Sequence, residues 1–170
     1  MSDMIFFPVK DEKLIRIVES LAQEIWNEHY IPIIGENQVK YMLENFQSRE
    51  AVSLQIKEGF LYYLISHNDS YAGYFSVILR DTDLFLSKIY IKAENRGKGI
   101  GKKVFQFAEK IALDNKLTEI LLTANKNNLN SIKSYEKSGF VVVDSVVQDI
   151  GGGFFMDDYL MKKPIINYNN

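Results

Sequence analysis

The chain has 170 residues, 46% of them apolar, which predicts one domain with a substantial core. It has no cysteine, which excludes a disulfide framework, a thiolate nucleophile and a cysteine-ligated zinc, and its two histidines, His29 and His67, are too far apart to suggest a metal site. The formal net charge is −2, no apolar run approaches a membrane span, and the first residues lack a signal-peptide pattern, so neither nucleic acid nor membrane is an expected partner and the cytoplasm is the expected location.

Residues 5–9 read as a short first strand, with Pro8 tolerable at an edge. Asp11 is placed to cap a helix over 12–28, where Leu14, Ile17, Val18, Leu21, Ala22 and Ile25 recur at helical spacing. Pro32 and Gly35 interrupt the helical pattern, which resumes over 36–46. Ser48 can cap a third helix over 50–58, ended by Gly59. Strands at 60–66 and 71–79 flank the turn at 67–70 and predict a hairpin, and a further strand covers 84–91.

That last strand runs directly into the sequence Lys-Ala-Glu-Asn-Arg96-Gly97-Lys98-Gly99-Ile100-Gly101-Lys102-Lys103. Three glycines remove side chains where backbone N–H groups can converge, and a helix follows at once with Ile100, Val104, Phe107, Ala108 and Ile111 as its buried stripe. Such a turn at a helix N-terminus is a pyrophosphate cradle. Between Lys92 and Lys103 five basic residues stand against the single acid Glu94, while the rest of the chain is net acidic. The spacing narrows the ligand. A Walker loop would continue Gly-Lys-Ser/Thr, and a dinucleotide fingerprint would place its third glycine one residue later.

Beyond a strand at 118–124 comes Asn128-Leu-Asn-Ser131-Ile132-Lys-Ser-Tyr135-Glu-Lys-Ser-Gly139-Phe140. It reads as a helix over 128–138 that Asn128 is suited to cap, with Ile132 and Tyr135 on one face and Gly139 fit for a left-handed C′ position. Strands at 140–149 and 153–162 follow around the triple-glycine turn 151–153, and the tail 165–170 reads as loose.

The Arg-x-x-Gly-x-Gly pattern of Arg96, Gly99 and Gly101 resembles the coenzyme A pyrophosphate loop of the GCN5-related N-acetyltransferases. The segment 128–140 is similar to that family's Asn-x-x-Ala-Ile-x-x-Tyr-Glu-x-x-Gly-Phe stretch, with Ser131 where alanine is usual. The resemblance covers nearly the whole chain. It implies a single acetyltransferase domain over 1–164 with a strongly twisted, mixed α/β sheet and helices on both faces. It also implies acetyl-CoA as co-substrate, with no metal, and a pantetheine arm lying between two splayed central strands, here 84–91 and 118–124. On this basis Ile89, Tyr90 and Ile91 supply backbone bonds to the pantetheine, and the N–H near Ile91 polarises the thioester carbonyl. The residues 96–102 and Asn128 hold the remaining coenzyme, and Tyr135 both contacts it and protonates the departing thiolate.

Direct acetyl transfer needs a neutral amine, and a free alkylamine has a pKa of about 10, so a base or a water chain must accept its proton. Many relatives carry a glutamate on the strand before the loop, where this chain has Ser87-Lys88. The base is therefore open among Glu24, Glu28, His29, Asp157 and Asp158, with Glu28 taken as base or acceptor contact. The walls of the acceptor channel in this fold point to Trp26, Glu28, Tyr30, Asp157, Asp158 and Tyr159, a mixture of aromatic faces and carboxylates suited to a cationic amine. Small bacterial polyamine or diamine acetyltransferases are the expected branch. Acetylation of a protein N-terminus or lysine is the alternative, as is a non-catalytic acetyl-CoA-binding sensor. A homodimer is left open.

Overall fold

The computed structural model describes residues 3–166, and the chain forms two compact units. One consists of the residues up to Ile78 together with Lys88–Gly101, the other of Leu79–Ser87 together with the chain from Lys102 onward. The strand order is β1-β2-β3-β4-β5-β7-β6 in a mixed sheet, and strand β4 (Asp83–Ile91) contributes residues to both units.

In the first unit, β1 (Met4–Pro8) leads to α1 (Glu12–His29). Asp11 has extended backbone and its side chain accepts from the Leu14 amide, so the helix begins where the sequence places it. Pro32 does not break the chain into a loop. It sits in the first turn of a short helix, α2 (Ile31–Ile34), where its missing N–H costs no hydrogen bond. Gly35, at φ 87°, ends that turn and starts α3 (Glu36–Asn45). Ser48 caps α4 (Arg49–Lys57) through the Ala51 amide.

Strands β2 (Leu61–His67) and β3 (Ser70–Leu79) form the expected hairpin. The turn tightens to Asn68 and Asp69, both at positive φ, which suits the right-handed twist of the strands. Their register shifts between Ile65 and Ser66, leaving Ala72 as the extra residue of a bulge. The core of this unit includes Val18, Ile25 and Trp26 of α1, Val52 of α4, and Leu64, Tyr74 and Phe75 of the hairpin, all at most 2% exposed.

In the second unit, β4 runs parallel to β5 (Glu119–Asn125) through Asp83↔Glu119, Leu84↔Ile120 and Phe85↔Leu121, the first three positions of each strand. A parallel pair requires a crossover, and α5 (Ile100–Asp114) supplies it. The buried stripe of α5 is rotated slightly from the expected one. Ile100, Val104 and Ala108 hold, but Phe105 and Ala112 are buried while Phe107 and Ile111 are half-buried. Strand β5 continues into α6 (Leu129–Lys137) and then the hairpin of β6 (Val141–Gly151) and β7 (Phe154–Pro164), with β7 antiparallel to β5. Gly151, Gly152 and Gly153 all have positive φ, which the turn requires. The expected loose tail is corrected at its start, because the Ile165 amide donates to the Thr118 carbonyl at 2.9 Å, and residues 167–170 lie outside the described ones. Among the described residues no helix is long and apolar enough to cross a membrane.

Candidate active site

The glycine turn is built on a fixed stem. The Lys92 amide, just past β4, donates to the Ala72 carbonyl of β3 at 2.8 Å, and a single 3-10 turn follows at Ala93–Asn95. Asn95 is buried and its amide nitrogen lies 3.4 Å from His67 Nδ1, tying the turn to the end of β2. Arg96 bends back so that its Nε donates to the Ile91 carbonyl at 3.0 Å. Gly97 and Gly99 have φ of 73° and 78°, the region where a side chain is disfavoured. At Gly97, Gly99 and Gly101 an added Cβ would meet nothing within 4 Å beyond the adjoining residues and, for Gly101, its own helix backbone. The turn is therefore open on the side a ligand would approach, and its glycines are not explained by crowding within the protein. Ile100, 1% exposed, anchors the first residue of α5, and Lys98, Lys102 and Lys103 are exposed around it. Backbone donors, a 15-residue helix N-terminus without an acidic first turn, and open space fit a coenzyme pyrophosphate.

The last residues of β4 divide by strand alternation. A Cβ at Gly73 would stand 2.1 Å from the Tyr90 carbonyl oxygen, so that carbonyl is turned toward β3, as is the Lys92 amide. The period of two then directs the backbone groups of Ile89 and Ile91 to the opposite edge. The Ile91 carbonyl is taken by Arg96, which leaves the Ile91 N–H on that edge. Tyr90 thus differs from its neighbours: its backbone serves the sheet, and its ring lies in a cluster with Trp26 at 5.3 Å, Tyr74 at 5.4 Å and Tyr30 at 6.0 Å.

Tyr135 sits on α6, half-buried, with Phe105 and Phe140 at centroid distances of 5.8 and 6.2 Å. Burial raises its phenol pKa to about 12, against a side-chain hydrogen bond from Ser131 that lowers it. The proton is therefore held at neutral pH, the state an acid needs. Gly139, at φ 97°, ends the helix as expected. Asn128 occupies the N-cap position and is 5% exposed, but its side chain makes no capping bond, which corrects the capping role.

The acceptor residues fall into two groups. Trp26 and Tyr30 stack at 4.2 Å; Trp26, 1% exposed, is core of the first unit, Tyr30 is half-buried, and Glu28 is exposed. Glu24 pairs with Lys92 at 3.2 Å. In the second unit Asp157 is exposed and pairs with Lys126 at 2.7 Å, and the same ammonium lies 5.5 Å over the Tyr159 ring. Asp158 is half-buried, and burial first, then the charge of Asp157, raise its carboxyl to about 6 against the opposing pull of Lys126.

Three residues were not singled out as site elements from the sequence. Gly73 permits the close approach of Tyr90. Asn95 anchors the turn through a partner 28 positions away. Lys88 is buried, donating to the Phe46 carbonyl at 2.7 Å and to Gln55 Oε1 at 3.0 Å, and burial lowers its pKa to about 7. The alternation of buried Leu84 and Leu86 signals that Lys88 points inward. Among the described residues no group of three or more His, Asp or Glu could hold a metal ion.

The profile of the acetyltransferase (GNAT) family matches residues 18–140, and the chain belongs to that family. It is an acetyl-CoA-dependent N-acetyltransferase. Among solved structures, it is similar to the PaiA N-acetyltransferase of Thermoplasma acidophilum in complex with coenzyme A, at 22% identity and TM-score 0.77 over 95% of this chain and 99% of that one. A GCN5-related N-acetyltransferase of Rhodopseudomonas palustris gives 16% identity and TM-score 0.80 over 96% and 97% of the two chains. A SpeG spermidine N-acetyltransferase mutant of Vibrio cholerae gives 16% identity and TM-score 0.68 over 98% and 96%. At these identities the likeness establishes the shared fold.

Proposed function

We propose that this chain moves the acetyl group of acetyl-CoA directly to a primary amine of a small cationic compound such as a polyamine, with residues 1–164 acting as one catalytic domain. The observation that carries the choice of acceptor is Lys126. Its alkylammonium already rests between the Asp157 carboxylate and the Tyr159 ring, so this stretch of β7 has the chemistry that receives a second alkylammonium. The Vibrio cholerae neighbour is a spermidine N-acetyltransferase, which is consistent with this reading.

In this proposal the backbone N–H groups of 96–101 hold the pyrophosphate, with Lys98 and Lys102 adding attraction. Ile89 and Ile91 pair with the pantetheine, and the Ile91 N–H faces the thioester oxygen as charge develops there. Tyr135 gives its proton to the sulfur. Glu28, exposed on α1, is an acceptor contact rather than the base. Holding both reactants together supplies several kcal/mol of the barrier, on the order of 7–11 in favourable cases, without a covalent enzyme intermediate.

The test is release of free thiol from acetyl-CoA over a panel of triamines, diamines, neutral-tailed monoamines, amino sugars and peptides. The highest kcat/KM is expected for a di- or triamine. Turnover confined to a peptide N-terminus or lysine would overturn the choice of acceptor. Coenzyme binding without turnover of any acceptor would replace the enzyme by a sensor.

A further inference from the structure

One oxygen of the Asp158 carboxylate is left without a hydrogen bond in the fold: Oδ1 is buried and has no partner among the described residues. A buried carboxylate oxygen without a donor is unfavourable, and native structures rarely keep one without a use for it. Its neighbour Asp157 is exposed and engaged by Lys126 at 2.7 Å, so the two adjacent acids are in different states. The backbone register supplies the location. Asp158 lies opposite Asn125, the last residue of β5, and the Lys126 amide just beyond donates to the Asp157 carbonyl at 3.1 Å. In sheets with parallel strands, ligands gather at the carboxyl ends of those strands, and β5 is parallel to β4.

We propose that Asp158 is the proton acceptor of the reaction, its Oδ1 receiving the ammonium of the acceptor amine; this rests on the acetyl-transfer reading given above. The amine arrives as R–NH3+ and loses one proton to the Asp158 carboxylate. The freed nitrogen lone pair forms the N–C bond to the thioester carbonyl, and the C–S bond breaks as the tetrahedral intermediate collapses. The nitrogen sheds a second proton as it becomes an amide. The thiolate takes one from Tyr135, which is reprotonated by that second proton. The products are amide, coenzyme A thiol and one proton, which leaves Asp158 for solvent. The groups that set the charge state of Asp158 are Asp157 beside it and Lys126 from the connection after β5. Its carboxyl near 6 is ionised at neutral pH yet more basic than an ordinary aspartate, as a general base requires.

The test compares Asp158→Asn, which keeps the shape, with Asp157→Asn, using the best amine of the panel. Wild-type kcat/KM should rise through an acid limb near pH 6. Asp158→Asn should lower kcat at pH 7 by about 10²–10⁴-fold and abolish that limb, with the acetyl-CoA Kd unchanged by calorimetry. Asp157→Asn should raise the amine KM and keep the limb. A variant Asp158→Asn within about threefold of wild type that retains the limb overturns the assignment while leaving acetyl transfer intact. Wild-type protein that binds acetyl-CoA and turns over no amine overturns both. A readout independent of any variant is carboxyl titration of the 13C-labelled wild-type protein with and without spermidine. An Asp158 carboxyl titrating near 6, and driven lower by bound spermidine, supports the proposal. One that spermidine does not move overturns it.

Discussion

The turn at 96–101 and the paired aspartates of β7 handle charge by opposite means. The turn offers main-chain donors in open space, and its side chains matter chiefly by their absence. On β7 the charge is carried by side chains, and one residue of sequence separates an exposed carboxylate held by Lys126 from a partly buried one with an unpartnered oxygen. A site made of backbone is fixed by geometry and is damaged by added volume. A site made of carboxylates is fixed by desolvation and neighbours and is damaged by lost charge at constant volume. Substitutions in the two regions should therefore fail in distinguishable ways.

The largest effect expected is that of Tyr135→Phe, which keeps the contacts to Phe105 and Phe140 and removes only the proton donor. Turnover should fall by about 10²–10⁴-fold with little change in acetyl-CoA affinity, and steady-state kinetics beside calorimetry will show it. A variant within about threefold of wild type would remove the acid role.

Next comes Gly73→Ala, which breaks the geometry behind the turn without touching it. A Cβ there would stand 2.1 Å from the Tyr90 carbonyl and 3.0 Å from the Ile91 Cα, both backbone, so β4 must shift. Overpacking of this kind costs about 1–3 kcal/mol, and the melting temperature should drop by a few to about ten degrees. Acetyl-CoA affinity and turnover should fall with it, since the Ile91 N–H moves. An unchanged melting temperature would show that the approach of the two strands is not fixed.

On β7 the sharpening experiment is stability against pH. Asp158 is raised from an ordinary aspartate value of 3.8 to about 6 in the folded protein. Below pH 4 the group is protonated in both states and its contribution to stability is fully present. As pH rises through 6, the folded protein must ionise a desolvated carboxyl and that contribution is lost. Asp158→Asn should therefore melt higher than wild type at pH 8, and the advantage should vanish near pH 4, as measured by scanning calorimetry. A variant less stable than wild type at pH 8 would mean the carboxylate is satisfied in the fold.

The smallest effects belong to the exposed lysines of the turn. Lys98→Gln and Lys102→Gln should each weaken acetyl-CoA binding by about 1 kcal/mol or less, roughly fivefold at most, and added salt should shrink the difference. A larger, salt-independent loss would mean that one lysine makes a desolvated contact.

How much of this was legible in the chain follows the same division. Asp11 and Ser48 at their caps, Gly139 at its C′ position and the glycine turn were readable because each is a local backbone requirement met by a local residue type. The start of α5 at the glycine turn was readable, but its buried stripe came out rotated, because which of Phe105 and Phe107 turns inward depends on partners outside the helix. Pro32 misled, since a proline that ends one helix equally suits the first turn of the next. Asn128 has the residue type of a cap and sits at the N-cap position, yet its buried side chain does not bond the helix amides. The inward face of Lys88 is signalled by its alternation with Leu84 and Leu86, but its partners Phe46 and Gln55, the link between Asn95 and His67 and the contrast between Asp157 and Asp158 depend on residues far away in sequence, and no local pattern encodes them.

Gly101→Val tests most directly the proposal that backbone donors in open space hold the co-substrate. Unlike Gly97 and Gly99, Gly101 does not need positive φ, and beyond its chain neighbours and its own helix backbone an added Cβ there meets nothing within 4 Å, so the variant should fold. Calorimetric titration of acetyl-CoA into wild type and variant should show a loss of affinity of at least tenfold at an unchanged melting temperature. Equal affinities in the two proteins would contradict the claim.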